Sequence, residues 1–264
     1  MKPTPQDADP DRLFNQSLEK GIAVLCAFGA ERRSMTFADL ALAADISKSS
    51  AQRMVHTLEQ LGFVRKHPQT RRYELTPRAL RIGFNYLTAN PLIDLANPYL
   101  AELTNASTET CCLTEPDGAE MVYVARFVSA QFVPVHMPIG SRIPMYCTAS
   151  GRAYLSALPA EEAIGLIGAQ ERVAHTRHTL TQEDAILEQL ALARQRGYAV
   201  NREELFLGDM TLAAPVIGGR GRPVAAVHVV APTSRWTAED AERRLAPMLI
   251  ACARSLSNSV RALG

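Results

Sequence analysis

Residues 35–75 read MTFADLALAADISKSSAQRMVHTLEQLGFVRKHPQTRRYEL, and the spacing of apolar residues inside this stretch decides the first half of the chain. Thr36 stands as an N-cap before a short helix to residue 43, with Asp39 in the first turn, where a carboxylate meets the positive end of the helix dipole. Phe37, Leu40 and Ala41 form its inward set. Ala44-Asp45-Ile46 makes a tight turn with Ile46 plugging the angle, and Ser47 caps a second helix over 48–61. In that helix Ala51, Met54, Val55, Leu58 and Leu61 recur at i, i+3, i+4, i+7 and i+10 and are expected to pack down. Lys48, Ser49, Gln52, Arg53 and His56 then project the other way. Gly62 ends the helix. Residues 63–66 and 71–75 read as two short strands around His67-Pro68-Gln69-Thr70, a tip without glycine.

Helix, tight turn, helix and basic hairpin is the order of a winged helix-turn-helix, whose second helix enters the major groove of DNA while the hairpin touches the backbone beside it. Gln52 and Arg53 carry the bidentate donors that adenine and guanine edges demand. Ser47, Ser49 and Ser50 at the helix start, with Thr36 at the start of the helix before, suit phosphate contacts. Lys48, His56, Arg65, Lys66, Arg71 and Arg72 complete the expected DNA-facing set. Charge agrees: residues 1–88 hold thirteen Lys/Arg against nine Asp/Glu, whereas the whole chain nets only +1. Basicity confined to one small region is the footprint of a nucleic-acid binder, although a solvated basic face would look the same by charge alone.

On the N-terminal side, residues 1–16 read as a disordered polar tail, and 17–28 as a helix capped by Ser17 with Leu18, Ile22, Leu25 and Cys26 inward. The winged helix-turn-helix is thus expected over 17–76 and a linker helix over 77–90, opened by Thr76-Pro77. Residues 91–264 alternate strands and helices. A helix interrupted by Pro98 runs over 92–104, and strands follow over 108–113, 121–127 and 132–137. Helices are expected over 159–167 and 181–196 (capped by Thr181), strands over 198–201, 211–217 and 224–230, and a last helix over 238–262. Gly218-Gly219-Arg220-Gly221 reads as a hairpin turn, with no phosphate-loop context. The order suits an α+β fold, a GAF-like effector-binding domain whose antiparallel sheet carries helices on one side.

Composition is that of an ordinary soluble protein, 47% apolar and 21% charged. No apolar run of about 18 residues is present, so no membrane span is expected, and nothing resembles a signal peptide, which points to the cytoplasm. Cys26, Cys111, Cys112, Cys147 and Cys252 have no metal-ligand spacing and read as reduced thiols; no cofactor or metal is expected. Ser150 lacks a nucleophile elbow, so the chain is read as non-enzymatic. The alternative is a GAF-like enzyme or a thiol/metal sensor built from Cys111, Cys112, Cys147 and His228.

The succession SLEKGIAVLCAF, SKSSAQRMVHTLEQLGFV and RRYELTPRALRIG resembles the DNA-binding half of IclR-type transcriptional regulators. IPMYCTASGRAYLSALP and GYAVNREELFLGDMTLAAPVIGGRGRPVAAVHV resemble signature segments of the effector domain of the same family, so the likeness covers roughly 17–262. It implies a ligand-responsive regulator that binds operator DNA as a homodimer or dimer of dimers and senses a small organic carboxylate, aromatic acids included. It also implies effector contacts at Ala149 and Ser150 through their backbone, and at Asn201, Thr211 and His228, with Val230 just beyond. Asn201 replaces a commoner acidic or hydroxyl residue and His228 a small polar one, which changes the pocket. Met137, Tyr146 and Phe206 read either as pocket walls or as core, and His228 either as a pocket group or as a core histidine.

Overall fold

A computed structural model describes residues 13–131, 135 and 137–262, and the chain divides after Tyr86 into two compact units. The expected tail lies mostly outside the described residues, as does most of the strand expected over 132–137. Among the described residues no helix is long and apolar enough to cross a membrane.

In the first unit α1 spans Gln16–Cys26, α2 Phe37–Ala43 and α3 Lys48–Gln60; β1, Val64–Lys66, pairs antiparallel with β2, Tyr73–Leu75. A short 3-10 turn over Pro77–Ala79, capped by Thr76, leads into α4, Leu80–Ala89, across the division. Asn15 rather than Ser17 caps α1, because its side-chain oxygen reaches the amides of both Ser17 and Leu18. The inward residue of α1 is Val24, fully buried, with Leu25 beside it. Leu18 and Ile22 are 62% and 52% exposed and Cys26 is also exposed, so the stripe expected to face the core faces outward. Phe37 and Leu61 differ in the same way: each sits at the end of its helix, beyond the packed middle, and each is exposed. Leu40, Ala41, Ala51, Val55 and Leu58 are buried as their spacing predicts. Asp45, at φ 50°, takes the left-handed step that turns α2 into α3, and Ile46 packs on the core from there. Met35 bridges Tyr73 through two backbone hydrogen bonds, which fastens the hairpin to the segment before α2.

The second unit continues with α5 (Pro91–Ser107), β3 (Cys111–Asp117), β4 (Glu120–Phe127), β5 (Arg142–Pro144), α6 (Ala149–Ser156), α7 (Ala160–Gly168) and α8 (Glu183–Arg196). After these come β6 (Ala199–Arg202), β7 (Met210–Ile217), β8 (Pro223–Val230) and α9 (Ala238–Ala262). The sheet order is β5-β4-β3-β8-β7-β6, and every neighbouring pair is antiparallel. Helix α5 runs through Pro98 without a break, because Ile93, Ala96, Leu100 and Leu103 are all buried along one side and outweigh one missing backbone hydrogen bond. Residue 182, not Thr181, occupies the cap position of α8, with no side-chain cap bond.

Helices cover both faces of the sheet, not one. Ala225, Val227 and Val229 of β8 pack into the core beneath α5 and α9; Ala226 packs into a second core with α6, α7 and α8. Strand alternation sends successive side chains to opposite faces, and here both sets are apolar, so each face needs its own cover. The face under α6 carries the polar residues discussed next.

Candidate functional site

Helix α3 presents Lys48, Ser49, Gln52, Arg53 and His56 to solvent while Ala51, Val55 and Leu58 lie in the core. Its N-terminus is organised by Ser47, whose hydroxyl accepts from the Ser50 amide and donates to Ser50 Oγ at 3.0 Å, with Ser49 Oγ 3.1 Å away. Thr36 is committed to a capping box: its hydroxyl accepts from the Asp39 amide, and Asp39 accepts from the Thr36 amide at 2.9 Å. Those bonds, with Arg72 nearby, hold the Asp39 carboxyl below its ordinary range.

The basic residues of the hairpin divide. Arg72 turns back to donate to Ser34 O at 2.9 Å and to Asp39 Oδ2 at 3.2 Å, and Arg65 pairs with Glu74 across the strands at 3.2 Å. Lys66 lies over the Tyr73 ring, 5.3 Å from its centre. Arg71 is exposed, at φ 59°. The hairpin closes through His67 N to Arg72 O and Arg71 N to His67 O, while His67 Nδ1 accepts from the amides of Gln69 and Thr70. Arg71 therefore occupies the left-handed position that glycine ordinarily takes in such a tip. Arg71→Gly is expected to stabilise the domain by about 1 kcal/mol, the cost of that backbone region for a side-chain-bearing residue. A lower denaturation midpoint than wild type would show that the turn conformation is not under strain.

In the second unit the polar face of the sheet floors a cavity of about 40 Å³. Asn201 of β6 is in register with Thr211 of β7, Thr211 with Val230 of β8, and the Val230 amide donates to Thr110 O ahead of β3. All four residues of this row line the cavity, together with Cys112, Tyr123, Arg126, Met137, Ala149, Ser150, Phe206 and Asp209. Thr148 caps α6: its hydroxyl accepts from the Gly151 amide and donates to Pro144 O. The Arg152 amide closes the first turn on Thr148 O, and among the described residues the Ala149 and Ser150 amides have no acceptor, as expected of the first donors of a helix. An anion in the cavity meets those donors and the positive end of the helix.

Six of the eight sequence-derived effector residues thus line one cavity: Met137, Ala149, Ser150, Asn201, Thr211 and Val230, with Phe206 beside them. Tyr146 does not join them. It is buried among α6–α8, donates to Val173 O at 2.6 Å and stacks on His175. His228 sits behind the lining, fully buried, with Nδ1 3.4 Å from Ser150 Oγ and its ring edge-on to Tyr123. Burial, with Arg126 nearby, pushes its pKa down to about 3, so the ring is neutral. Arg126, Asp209, Tyr123 and Thr110 were not anticipated, and Cys112 was expected only as part of the alternative thiol or metal site. The signal for Arg126 was a lone charge inside the apolar strand MVYVARF; a charge inside a buried strand has to serve something.

A shell of hydrogen bonds holds this lining in place. Asn201 Nδ2 donates to Cys147 O, and Asn201 Oδ1 accepts from the Glu204 amide. Glu204 in turn receives both terminal nitrogens of Arg152, at 2.5 and 2.7 Å, and the Leu180 amide at 3.0 Å. Arg152 and Glu204 are both buried, and Arg152 Nε donates to Tyr146 O. This bidentate pair ties α6 to the loop after β6.

The thiol or metal alternative loses its geometry here. Cys111 and Cys112 are neighbours on one strand and point to opposite faces, Cys111 into the core beneath α5 and Cys112 into the core beneath α6. Burial pushes Cys111 up to about 11 and Cys147 up to about 12, and raises Cys112 further, so none is poised as a thiolate. Among the described residues no cluster of His, Cys, Asp and Glu is arranged to hold a metal ion.

A winged helix-turn-helix in one unit and a sheet-floored cavity under a helix start in the other define a two-module transcription regulator. Residues 17–68 match the IclR helix-turn-helix domain family, and residues 84–258 match the family described as bacterial transcriptional regulator IclR C-terminal. The chain belongs to the IclR family of transcriptional regulators, which is not an enzyme family. It is 30% identical over 253 residues to the Pca regulon regulatory protein of Pseudomonas putida, covering 96% of this chain and 86% of the relative. It is 32% identical over 248 residues to the p-hydroxybenzoate hydroxylase transcriptional activator of Acinetobacter baylyi, covering 92% and 91%. The crystal structure of the Thermotoga maritima IclR superposes with a TM-score of 0.70 at 26% identity, covering 93% of this chain and 98% of that one.

Proposed function

We propose that this regulator reads its operator through Gln52 and Arg53 of α3 and senses a small organic carboxylate in the cavity beneath α6. The observation that carries the second half is the meeting, in one cavity, of the unspent Ala149 and Ser150 amides, the Arg126 guanidinium and a polar sheet row. At about 40 Å³ the cavity is far below the roughly 300–1,000 Å³ that holds a drug-sized ligand, so a compact acid fits it best. An aromatic acid is the runner-up, favoured by the likeness to a p-hydroxybenzoate hydroxylase activator; the half-buried Met137 and Phe206 would have to swing aside for it.

DNA affinity comes from backbone contacts by Lys48, Lys66 and Arg71, with Ser47, Ser49 and Ser50 at the α3 start, and it falls with salt. The protein acts as a homodimer or dimer of dimers on a palindromic site, in keeping with the exposed Leu18 and Ile22 of α1, which a second copy would cover. The effector changes DNA affinity through its differential affinity for two arrangements of the protein, a coupling of about 1–3 kcal/mol. Arg53→Ala is expected to cost about 1–3 kcal/mol of operator binding and to flatten discrimination at one base position, while nonspecific binding and its salt slope persist. Operator titrations against mutated sites measure this, and unchanged discrimination would displace α3 as the reading element.

A further inference from the structure

The sheet of the second unit ends on β6, and that end is basic although the unit as a whole is acidic. Residues 89–264 hold fifteen Lys/Arg against eighteen Asp/Glu. Four of those arginines, Arg196, Arg202, Arg254 and Arg261, line two cavities of about 380 and 220 Å³ that flank the β6 edge. We infer that this edge is the docking site of an acidic segment of a partner protein, which joins the sheet as a further strand beside β6.

The strand itself is open. β6 pairs with β7 from Ala199 opposite Ala213 to Arg202 opposite Met210. Among the described residues no other backbone hydrogen bond reaches 199–202. β7 runs on past β6 to Ile217, and there the edge is closed to a strand: Pro215 has no N–H, and the Ile217 amide donates to Ser257 Oγ at 2.8 Å. Strand addition is therefore confined to β6, where main-chain hydrogen bonds supply affinity and side-chain pockets supply choice. Leu180, Leu192 and Val200 are half-buried at the larger cavity, and Pro215, Ile217 and Ile250 at the smaller, so apolar side chains of the segment find cover at both.

The cations are spread along the same line. Glu242 of α9 meets Arg202, and Ser257 of α9 meets Ile217, so α9 runs alongside β7 from Met210 to Ile217. Those seven steps of strand cover about 23 Å at ~3.3 Å each, and the fifteen steps of helix from Glu242 to Ser257 about 22 Å at ~1.5 Å each. A segment of about eight residues spans that length, half beside β6 and half in the notch past it.

Acceptors for the four guanidiniums are few. Arg196 and Arg202 share one carboxylate, Glu242, which also accepts from Tyr198. Arg254 has no hydrogen-bond or ion-pair partner among the described residues, and Arg261 donates to Ser257 O and Asn258 Oδ1 of its own helix. The carboxylate among the described lining residues is Glu204, and Arg152 neutralises it. Arginines on an edge turn away neutral and basic strands and admit an acidic one. A second copy fits less well, because self-pairing of β6 brings the arginines of both copies together. Duplex DNA would leave the apolar floors unused.

Fluorescence anisotropy of the full chain with a labelled octapeptide of alternating aspartate and valine tests this at low salt. The peptide is expected to bind about tenfold tighter than its twin with lysine for aspartate, and N-methylation of its whole backbone should abolish binding. Arg254→Glu, at a side chain without a partner, should weaken binding about tenfold and leave the unfolding midpoint unchanged. Absence of binding by the aspartate peptide overturns the inference, as does binding that survives N-methylation or is indifferent to Arg254→Glu. Two further results reassign the edge and overturn it as well. A smaller assembly of Arg254→Glu in sedimentation gives the edge to a second copy, and a shallower salt slope of its nonspecific DNA binding gives it to DNA. None of these outcomes bears on acid sensing in the cavity beneath α6.

Discussion

Glu204→Ala is expected to destabilise the effector domain by about 3–5 kcal/mol, because it strands the guanidinium of Arg152 in the interior without its counter-charge. Arg152 is 1% exposed, and its two terminal nitrogens have Glu204 as their acceptor. The loss has a local consequence as well. Glu204 also receives the Leu180 amide, and its own amide is held by Asn201, so the substitution loosens the cavity floor along with the fold. Denaturant unfolding of the full chain, with the transition of the effector domain followed separately from that of the winged domain, measures the cost. Replacing both partners, as in Arg152→Met with Glu204→Leu, should recover most of the stability, since an apolar pair leaves no unpaired charge. A Glu204→Ala protein within 1 kcal/mol of wild type would mean that Arg152 finds another acceptor or reaches solvent.

Gly151→Ala is the second large effect. A Cβ at this position would enter the van der Waals envelope of Met145 Cα, C and O, and these are backbone atoms that no rotamer change can clear. The expected cost is about 3 kcal/mol, at the upper end of what overpacking usually produces. Here it is also a positional cost: α6 must retreat from the strand-to-helix turn, which carries the Ala149 and Ser150 amides away from the cavity. Unfolding measurements should show the destabilisation, and ligand titration a loss of acid affinity beyond what lost stability explains. Near-wild-type stability would contradict the close packing of α6 on Met145. Gly165 and Gly168, with open space around them, serve as controls in which alanine is tolerated.

The winged domain was the more legible half, because its signals are local. The α3 periodicity identifies Ala51, Val55 and Leu58, and the caps Thr36 and Ser47 act within four residues of themselves. Where the reading departs from the structure, the departure is a matter of partners. Periodicity marks Leu18, Ile22 and Cys26 as one apolar stripe of α1 but does not say whether the same chain covers it, and within the unit the core takes Val24 instead. Arg72 reads as a wing cation by position, yet Ser34 and Asp39, more than thirty residues upstream, claim its guanidinium. In the effector domain the family likeness led to six lining residues, while register across four strands brought in Arg126 and Asp209, which no local spacing relates. Tyr146 and His228 are large residues at the right positions, but hydrogen bonds to Val173 and Ser150 hold them outside the lining. Helices on both sheet faces follow from β8, where PVAAVHVV is apolar on its odd positions and, His228 apart, on its even ones.

The floor of the cavity is a single rung of the sheet, Asn201, Thr211, Val230 and Thr110, whose strand neighbours point the other way into the core beneath α5 and α9. A rung of this kind is an evolutionary dial. Its side chains can be exchanged without disturbing the backbone ladder or the packing on the far side, so on the proposed effector role a lineage can retune which molecule it answers to while keeping its scaffold. The exception is Asn201, whose amide is also wired to Cys147 and Glu204. Drift in ligand preference should therefore run through positions 110, 211 and 230 before it reaches 201.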